Sequence, residues 1–461
     1  MGAATAAALV LSGCSSPYDG AASTDGRSPG APGTAAPSRP AVTPTATAHP
    51  PNDAVGRQMS WMLGQMNTDP VSSDVSSRFT EQFQAEVPPA QWLVMLGQLR
   101  AQAPWVLESV TSDGKAGSAS VVAQGRRYSL TMTVDDAGRI DGALLKEGAQ
   151  GETATTWPQV EQRAQLAAPQ VSILAATVGD DGSLEVVHRS GEQGVRPIAS
   201  MFKLYVLAAV AEQVRDGALS WDQQLRLTAQ DKTLPSGTLQ ERPDGTAVTV
   251  REAADLMIRI SDNTATDLLM RAVGEDTVRA AAARAGATHP EGITPFLTPR
   301  QMFWLGYGDA PQALDARAKW AAADAQTRAQ LLEQVPMPGP GPENIDMTST
   351  PWRSGVGWFA TPQEVVQAHL YLDTLAGDAA LAPLREILTK NGGIAVPDWS
   401  EQAFKGGSDS GVIALSFLAP PPQGTQRRQA LVMIGTGERP VDEETFVAAT
   451  ADAARLLSEH R

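Results

Sequence analysis

The chain has 461 residues, more than one domain of ordinary size needs, and 42% hydrophobic with 19% charged residues describes a globular protein rather than a disordered one. Acidic residues outnumber basic ones 51 to 36, and the net charge of −15 would repel a phosphate backbone, which disfavours nucleic acid as a partner. The single cysteine, Cys14, excludes an intrachain disulfide and any cysteine-built metal centre, and the histidines at 49, 188, 289, 369 and 460 form no pair at metal-ligand spacing, so neither metal nor cofactor is expected.

Residues 1–13 are small and apolar and stop at Cys14, too short a run for a bilayer span of about 20 residues. The ending Leu11-Ser12-Gly13-Cys14 resembles a bacterial lipobox, although no Lys or Arg precedes the apolar run as a signal peptide should have. The resemblance implies cleavage before Cys14 and a diacylglyceryl group on its thiol. Residues 15–51 are dominated by Ala, Ser, Thr, Pro and Gly and read as a disordered tether. Together they predict an extracytoplasmic protein, lipid-anchored to the bacterial cell membrane.

Residues 52–147 open with helical periodicity, Met59, Met62, Leu63 and Met66, then Trp92, Leu93, Met95, Leu96 and Leu99. Strand-like runs follow at 106–110, 118–123, 128–134 and 140–145, separated by turn signals at Asp113-Gly114, Gly125 and Ala137-Gly138. This is a small α+β domain in which no catalytic pair stands out. Residues 148–156 read as a join. From 157 to 461 an initial helix precedes strands at 171–178 and 184–188, a long helical middle runs to about 388, and strands at 412–418 and 430–434 lead to a helix at 443–457. Strands at both ends predict one antiparallel sheet assembled from distant sequence beside a helical subdomain.

Ser200-Met201-Phe202-Lys203 opens a strong helical run, placing Ser200 and Lys203 on one face of a first turn whose free N–H groups favour negative charge. A serine there needs a base, and a lysine desolvated beside another cation can act as one. Spacing alone is weak evidence: Ser112-Asp113-Gly114-Lys115 fits it too, but on an expected hairpin turn. Ser261-Asp262-Asn263 lies between two helical runs, where capping is the simpler explanation. Lys405-Gly406-Gly407-Ser408 stands just before the 412–418 strand and alone would be a surface turn, since Lys115-Ala116-Gly117 and Lys390-Asn391-Gly392 also match Lys-x-Gly.

All three motifs in this order and setting are much rarer, and with them residues 157–461 resemble the penicillin-recognising serine hydrolases, the superfamily of class A β-lactamases and D,D-peptidases. Leu234-Pro235-Ser236-Gly237 and Thr361-Pro362 add to the likeness. The resemblance implies that Ser200 is acylated, Lys203 accepts or relays its proton, and Ser261 passes a proton to the leaving group. It further implies that Asn263 orients substrate and Lys203, that Lys405 and Ser408 hold a substrate carboxylate, and that the oxyanion hole uses the N–H of Ser200 and one at Asp409 or Ser410, with Ser410 taken as the donor. No cofactor is implied.

Three features depart from the class A pattern. The expected glutamate-bearing loop, residues 334–360, offers only Glu343, without the surrounding motif; Gly406 replaces a threonine; and the long interval before Lys405 suggests an insertion around 298–334. The whole chain is similar to serine hydrolases encoded with clavulanic acid biosynthesis and to actinobacterial lipoproteins whose front domain resembles a steroid-isomerase cone. That group includes a cephalosporin ester hydrolase. The expected activity is hydrolysis of a β-lactam, peptide or ester through an acyl-enzyme. The alternatives are a non-catalytic penicillin-binding sensor, acylated once, and an ester hydrolase with little β-lactamase activity.

Overall fold

A computed structural model describes residues 48–68, 77–233, 235–336, 349–391, 393–394, 396, 399, 401–421 and 427–460. Cys14, most of the expected tether and Glu343 lie outside the described residues. The chain divides into two units at Gly151 and Glu152.

The first unit begins with helix α1 (Ala54–Asn67), whose N-terminus is capped by Asp53 accepting from the Gly56 N–H at 2.7 Å. Helices α2 (Glu81–Glu86) and α3 (Pro89–Arg100) follow, then strands β1 (Val106–Ser112), β2 (Ala116–Ala123), β3 (Arg126–Val134) and β4 (Ile140–Glu147). The strands pair in sequence order as an antiparallel meander, because each turn is short and glycine-bearing. Met59, Met62, Phe83, Trp92 and Leu96 from the helices share one core with Val121, Leu130, Met132 and Ile140 from the sheet. This is an α+β unit built on an antiparallel sheet.

The second unit starts with α4 (Trp157–Ala167), β5 (Gln170–Val178) and β6 (Leu184–Ser190). A 3₁₀ turn at Ala199–Phe202 leads into α5 (Lys203–Arg215), followed by α6 (Val250–Arg259), α7 (Asn263–Val273) and α8 (Glu275–Arg284). Next come α9 (Pro299–Tyr307), α10 (Pro311–Trp320), α11 (Ala325–Leu332), α12 (Pro362–Leu375) and α13 (Pro383–Thr389). Strands β7 (Ala403–Asp409), β8 (Val412–Ala419) and β9 (Arg428–Thr436) precede α14 (Glu443–Ser458).

The sheet runs β7-β8-β9-β5-β6, all antiparallel, and β9 pairs with β5 from Arg428 opposite Val178 to Thr436 opposite Gln170. Strands from the two ends of the unit therefore meet at the centre of one sheet, as their positions in the sequence predict. Both faces are covered, so the central strands are apolar throughout, and the side-chain period of two sorts them. Leu174, Ala414, Leu418, Val432 and Ile434 face the helical core that contains α5, whereas Ile173, Ile413, Leu415, Phe417, Leu431 and Met433 face α4 and α14. Helix α5 is buried continuously from Lys203 to Glu212, which marks it as the central helix. Helix α12 starts at the expected Thr361-Pro362 with a capping box between Thr361 and Glu364.

Two local expectations change. Ser200 sits in the 3₁₀ turn rather than in the first α-helical turn, and Lys203 is the first residue of α5. Lys405–Ser408 lies inside β7 rather than before a strand, because pairing with β8 imposes the extended conformation on a Lys-Gly-Gly-Ser run of low β-propensity.

Candidate active site

Register decides which side chains of β7 meet the helical core. Lys405 pairs opposite Ser416 and Gly407 opposite Ala414, so Ala403, Lys405, Gly407 and Asp409 share the face on which Ala414 and Leu418 join that core. Gly407 lies against the 3₁₀ turn so closely that a Cβ on it would stand 2.4 Å from the Ser200 nitrogen and 3.0 Å from the Ala199 Cβ. Only glycine permits that approach. Ser408, on the opposite face, is exposed and also lines the cleft.

Lys203 is completely buried, with its Nζ at 2.7 Å from the Ser261 carbonyl, 3.0 Å from Ser261 Oγ and 2.8 Å from Asn263 Oδ1. Lys405 Nζ reaches the same Ser261 Oγ at 3.1 Å. The Ser261 hydroxyl thus bridges two lysines. Burial, then the neighbouring Lys405 cation, push the Lys203 ammonium well below the ordinary lysine range, against Asp262 and Asp267, which favour charge. Burial brings Lys405 down to about 7. Among the described residues Ser200 Oγ is not hydrogen-bonded to Lys203.

Asp262 is a clamp. Its buried carboxylate accepts from the Thr238 and Leu239 N–H groups at 2.7 and 3.0 Å and from the Ala265 N–H at 2.7 Å, which caps α7 and ties the loop beginning at Pro235 to it. Gly237, at φ +116°, lies against the clamp, where a Cβ would stand 2.2 Å from the carboxyl carbon. Ser236 donates to the Ser261 carbonyl at 2.7 Å and accepts the Asn263 N–H at 3.0 Å through its own carbonyl. Ala199 (φ +43°) and Ser261 (φ +55°) both take left-handed backbone, a conformation costing about 1–3 kcal/mol that recurs at functional sites.

Ser200, Ser261, Asn263, Gly406, Gly407 and Ser408 line one cleft of about 340 Å³, together with Ser236, Phe303, Trp358 and Asp409. A larger cleft, about 670 Å³, lies in the first unit beside Ser112, Gly117, Thr131 and Asp141. Ser112 of the second Ser-x-x-Lys lines it, but Ser112 donates to Asp53 at 2.5 Å and Lys115 pairs with Asp136, so neither is free to activate the other. The smaller cleft is the one on which residues of all three motifs converge.

One assignment is corrected. The Ser410 N–H, expected to bind the oxyanion, donates to Asp409 Oδ1 at 2.9 Å and to Tyr307 Oη at 3.2 Å, because Ser410 occupies the turn beyond β7. Sequence reading missed Tyr307 as a partner of this strand, as nothing local links α9 to a residue 102 positions later.

A model of the beta-lactamase enzyme family matches residues 160–335, and a model of the ORF 12 gene product N-terminal region matches residues 50–140. Residues 160–335 are thus similar to the beta-lactamase enzyme family. Beta-lactamase VEB-1 of Pseudomonas aeruginosa is 32% identical over 81 residues, 17% of this chain and 27% of that protein, so the match spans about a quarter of the relative's length. A beta-lactamase structure from Sphaerobacter thermophilus aligns at 19% identity over 65% of this chain and 96% of its own, with a TM-score of 0.43. A structure of PBP-A aligns at 17% identity over 65% and 94%, with a TM-score of 0.42.

Gly407→Ala is expected to push β7 away from Ser200. A displacement of about 1 Å can cost on the order of 100-fold in rate, so covalent labelling of Ser200 should slow by about that factor while a cooperative melt is retained. Labelling followed by intact mass, beside thermal denaturation, checks it.

Proposed function

We propose that the second unit is a serine hydrolase that acts on a β-lactam, peptide or ester through an acyl-enzyme on Ser200. The observation that carries this reading is the Lys203–Ser261–Lys405 chain, two buried lysines joined through a serine that lines the same cleft as Ser200. Lys203, its pKa lowered by burial, accepts the Ser200 proton as the hydroxyl attacks the carbonyl carbon. Ser261, in contact with both lysines, passes a proton to the departing nitrogen or oxygen. Asn263 fixes Lys203 and faces the substrate. Lys405 and Ser408 hold a substrate carboxylate.

The oxyanion donors in this reading are the N–H groups of Ser200 and Ser408. Ser200 lies in a first turn, where N–H groups have no intrahelical acceptor. Asp409 and Val412 flank a two-residue turn and pair with each other, so alternation along β7 directs the Ser408 N–H away from β8 to the open edge. Gly407 brings that edge onto Ser200.

The matching model over residues 50–140 supports the finer reading that the chain resembles the clavulanate-associated hydrolases, with the first unit a cone-like spacer or gate. The lipid anchor at Cys14 and the extracytoplasmic location rest on the sequence of residues 11–51 alone.

Three measurements test these statements. Ser200→Ala should abolish labelling by a β-lactam probe and Ser112→Ala leave it intact; equal labelling of wild type and Ser200→Ala would sink the mechanism. For an anionic β-lactam, kcat/KM should fall about tenfold per unit above pH 7, because Lys405 is charged below its pKa of about 7 and loses the carboxylate-holding charge above it. A neutral ester should lack that falling limb, since Lys203 only gains base character as pH rises. Cys14→Ser should move the protein from the membrane to the soluble fraction with Ser200 still reactive, and unchanged membrane retention would refute the anchor.

A further inference from the structure

The acyl-enzyme reading leaves open which group activates water for deacylation. Two acids line the cleft among the described residues, Asp409 and Glu443. Glu443 is exposed in the first turn of α14, whose helix packs on the opposite face of the sheet from the helical core. Asp267, buried behind Lys203, does not line the cleft, and its Oδ2 is held by Thr233 at 2.6 Å and by the Arg300 N–H at 3.2 Å. Asp409 remains. It shares its strand face with Lys405 and Gly407, and two residues of strand place it roughly 7 Å beyond the glycine that touches Ser200.

Asp409 is also held in one orientation. Tyr307 and the Ser410 N–H both donate to Oδ1, leaving Oδ2 for another partner. Beside it the Ser410 hydroxyl is buried without a hydrogen-bond partner among the described residues, where buried polar atoms ordinarily bind protein or water.

We propose that Asp409, positioned by Tyr307, is the catalytic base of deacylation. This rests on the acyl-enzyme reading. Asp409 Oδ2 takes a proton from water as the water oxygen bonds to the acyl carbon, forming a tetrahedral oxyanion. Collapse breaks the carbon–Oγ bond of Ser200, and Asp409 returns the proton to the departing Oγ through the cleft. The net change is acyl-serine plus water to free acid plus serine. Burial pushes the Asp409 carboxyl up to about 6, against Tyr307 and Ser410, which keeps it ionised yet basic near neutrality.

The experiment follows the intact mass of the full chain with benzylpenicillin and with a cephalosporin. Asp409→Asn is expected to acylate within about threefold of the wild-type rate and to hold its adduct at least tenfold longer, with hydroxylamine, which needs no base to attack an ester, shortening that lifetime. Tyr307→Phe, a second variant should the first not fold, is expected to lengthen the adduct at least threefold with acylation unchanged and with the same hydroxylamine rescue. Equal adduct lifetimes in wild type and either folded variant overturn the base assignment, as does a wild-type adduct that never decays. A wild type that takes no adduct overturns the acyl-enzyme reading itself, and the assignment with it.

Discussion

The buried amine of Lys203 is the interaction on which the rest of the site depends. A charged ammonium taken from water is costly unless it is paired, yet the oxygens around Lys203 belong to a carbonyl, an amide and a hydroxyl, none of them anionic. Burial accordingly lowers the pKa of the amine well below the ordinary lysine range, which favours its neutral form. A neutral amine has two N–H groups and one lone pair. The Ser261 carbonyl and Asn263 Oδ1 can only accept, so of the three contacts the one with Ser261 Oγ is free to run with the hydroxyl donating to nitrogen. The Ser261 hydroxyl thereby links the buried Lys203 to Lys405.

That arrangement needs three segments of chain held in register. The start of α5 supplies Ser200 and Lys203, the α6–α7 turn supplies Ser261 and Asn263, and β7 supplies Lys405 and Gly407. Asp262 secures the second by tying α7 to the loop in front of it. The third is secured by sheet pairing, so the position of β7 against Ser200 follows from β8, β9 and β5 together. The left-handed residues Ala199 and Ser261 fall where two of these segments bend sharply into the cleft. Sheet and helix packing elsewhere in the unit sustains those bends.

Much of this was legible in sequence, for identifiable reasons. The meander of the first unit was readable because Asp113-Gly114 and Ala137-Gly138 punctuate alternating strands. The central strands, read at 171–178 and 430–434 and observed at Gln170–Val178 and Arg428–Thr436, were readable because burial on both faces makes them continuously apolar. β7 was not, since Lys405, Gly406, Gly407 and Ser408 carry neither alternation nor β-branched residues, and its conformation comes from its partner. Missing its length misplaced the end of the strand, which shifted the oxyanion donor to Ser410. The Asp262 clamp was half-readable: capping and catalysis were weighed as alternatives for Ser261-Asp262-Asn263, and Asp262 caps α7 while Ser261 and Asn263 contact Lys203. Tyr307 against Asp409 was invisible, because it is a tertiary contact with no local signal.

An edge strand is usually a liability, exposing unpaired N–H and C=O groups to other chains. Here the open edge of β7 is turned towards the 3₁₀ turn that carries Ser200, and the two are brought together by a residue without a side chain. A longer or bulkier strand residue at 407 would separate the edge from the nucleophile, and a strand paired on both sides would have no N–H to offer. The same period of two that frees the Ser408 N–H sends Lys405 and Asp409 onto the Ser200 side of the sheet, a lysine on one side of Gly407 and a carboxylate on the other. One edge strand therefore presents a lysine, a free N–H and a carboxylate at fixed spacing, and the glycine between them sets how near all three stand to Ser200.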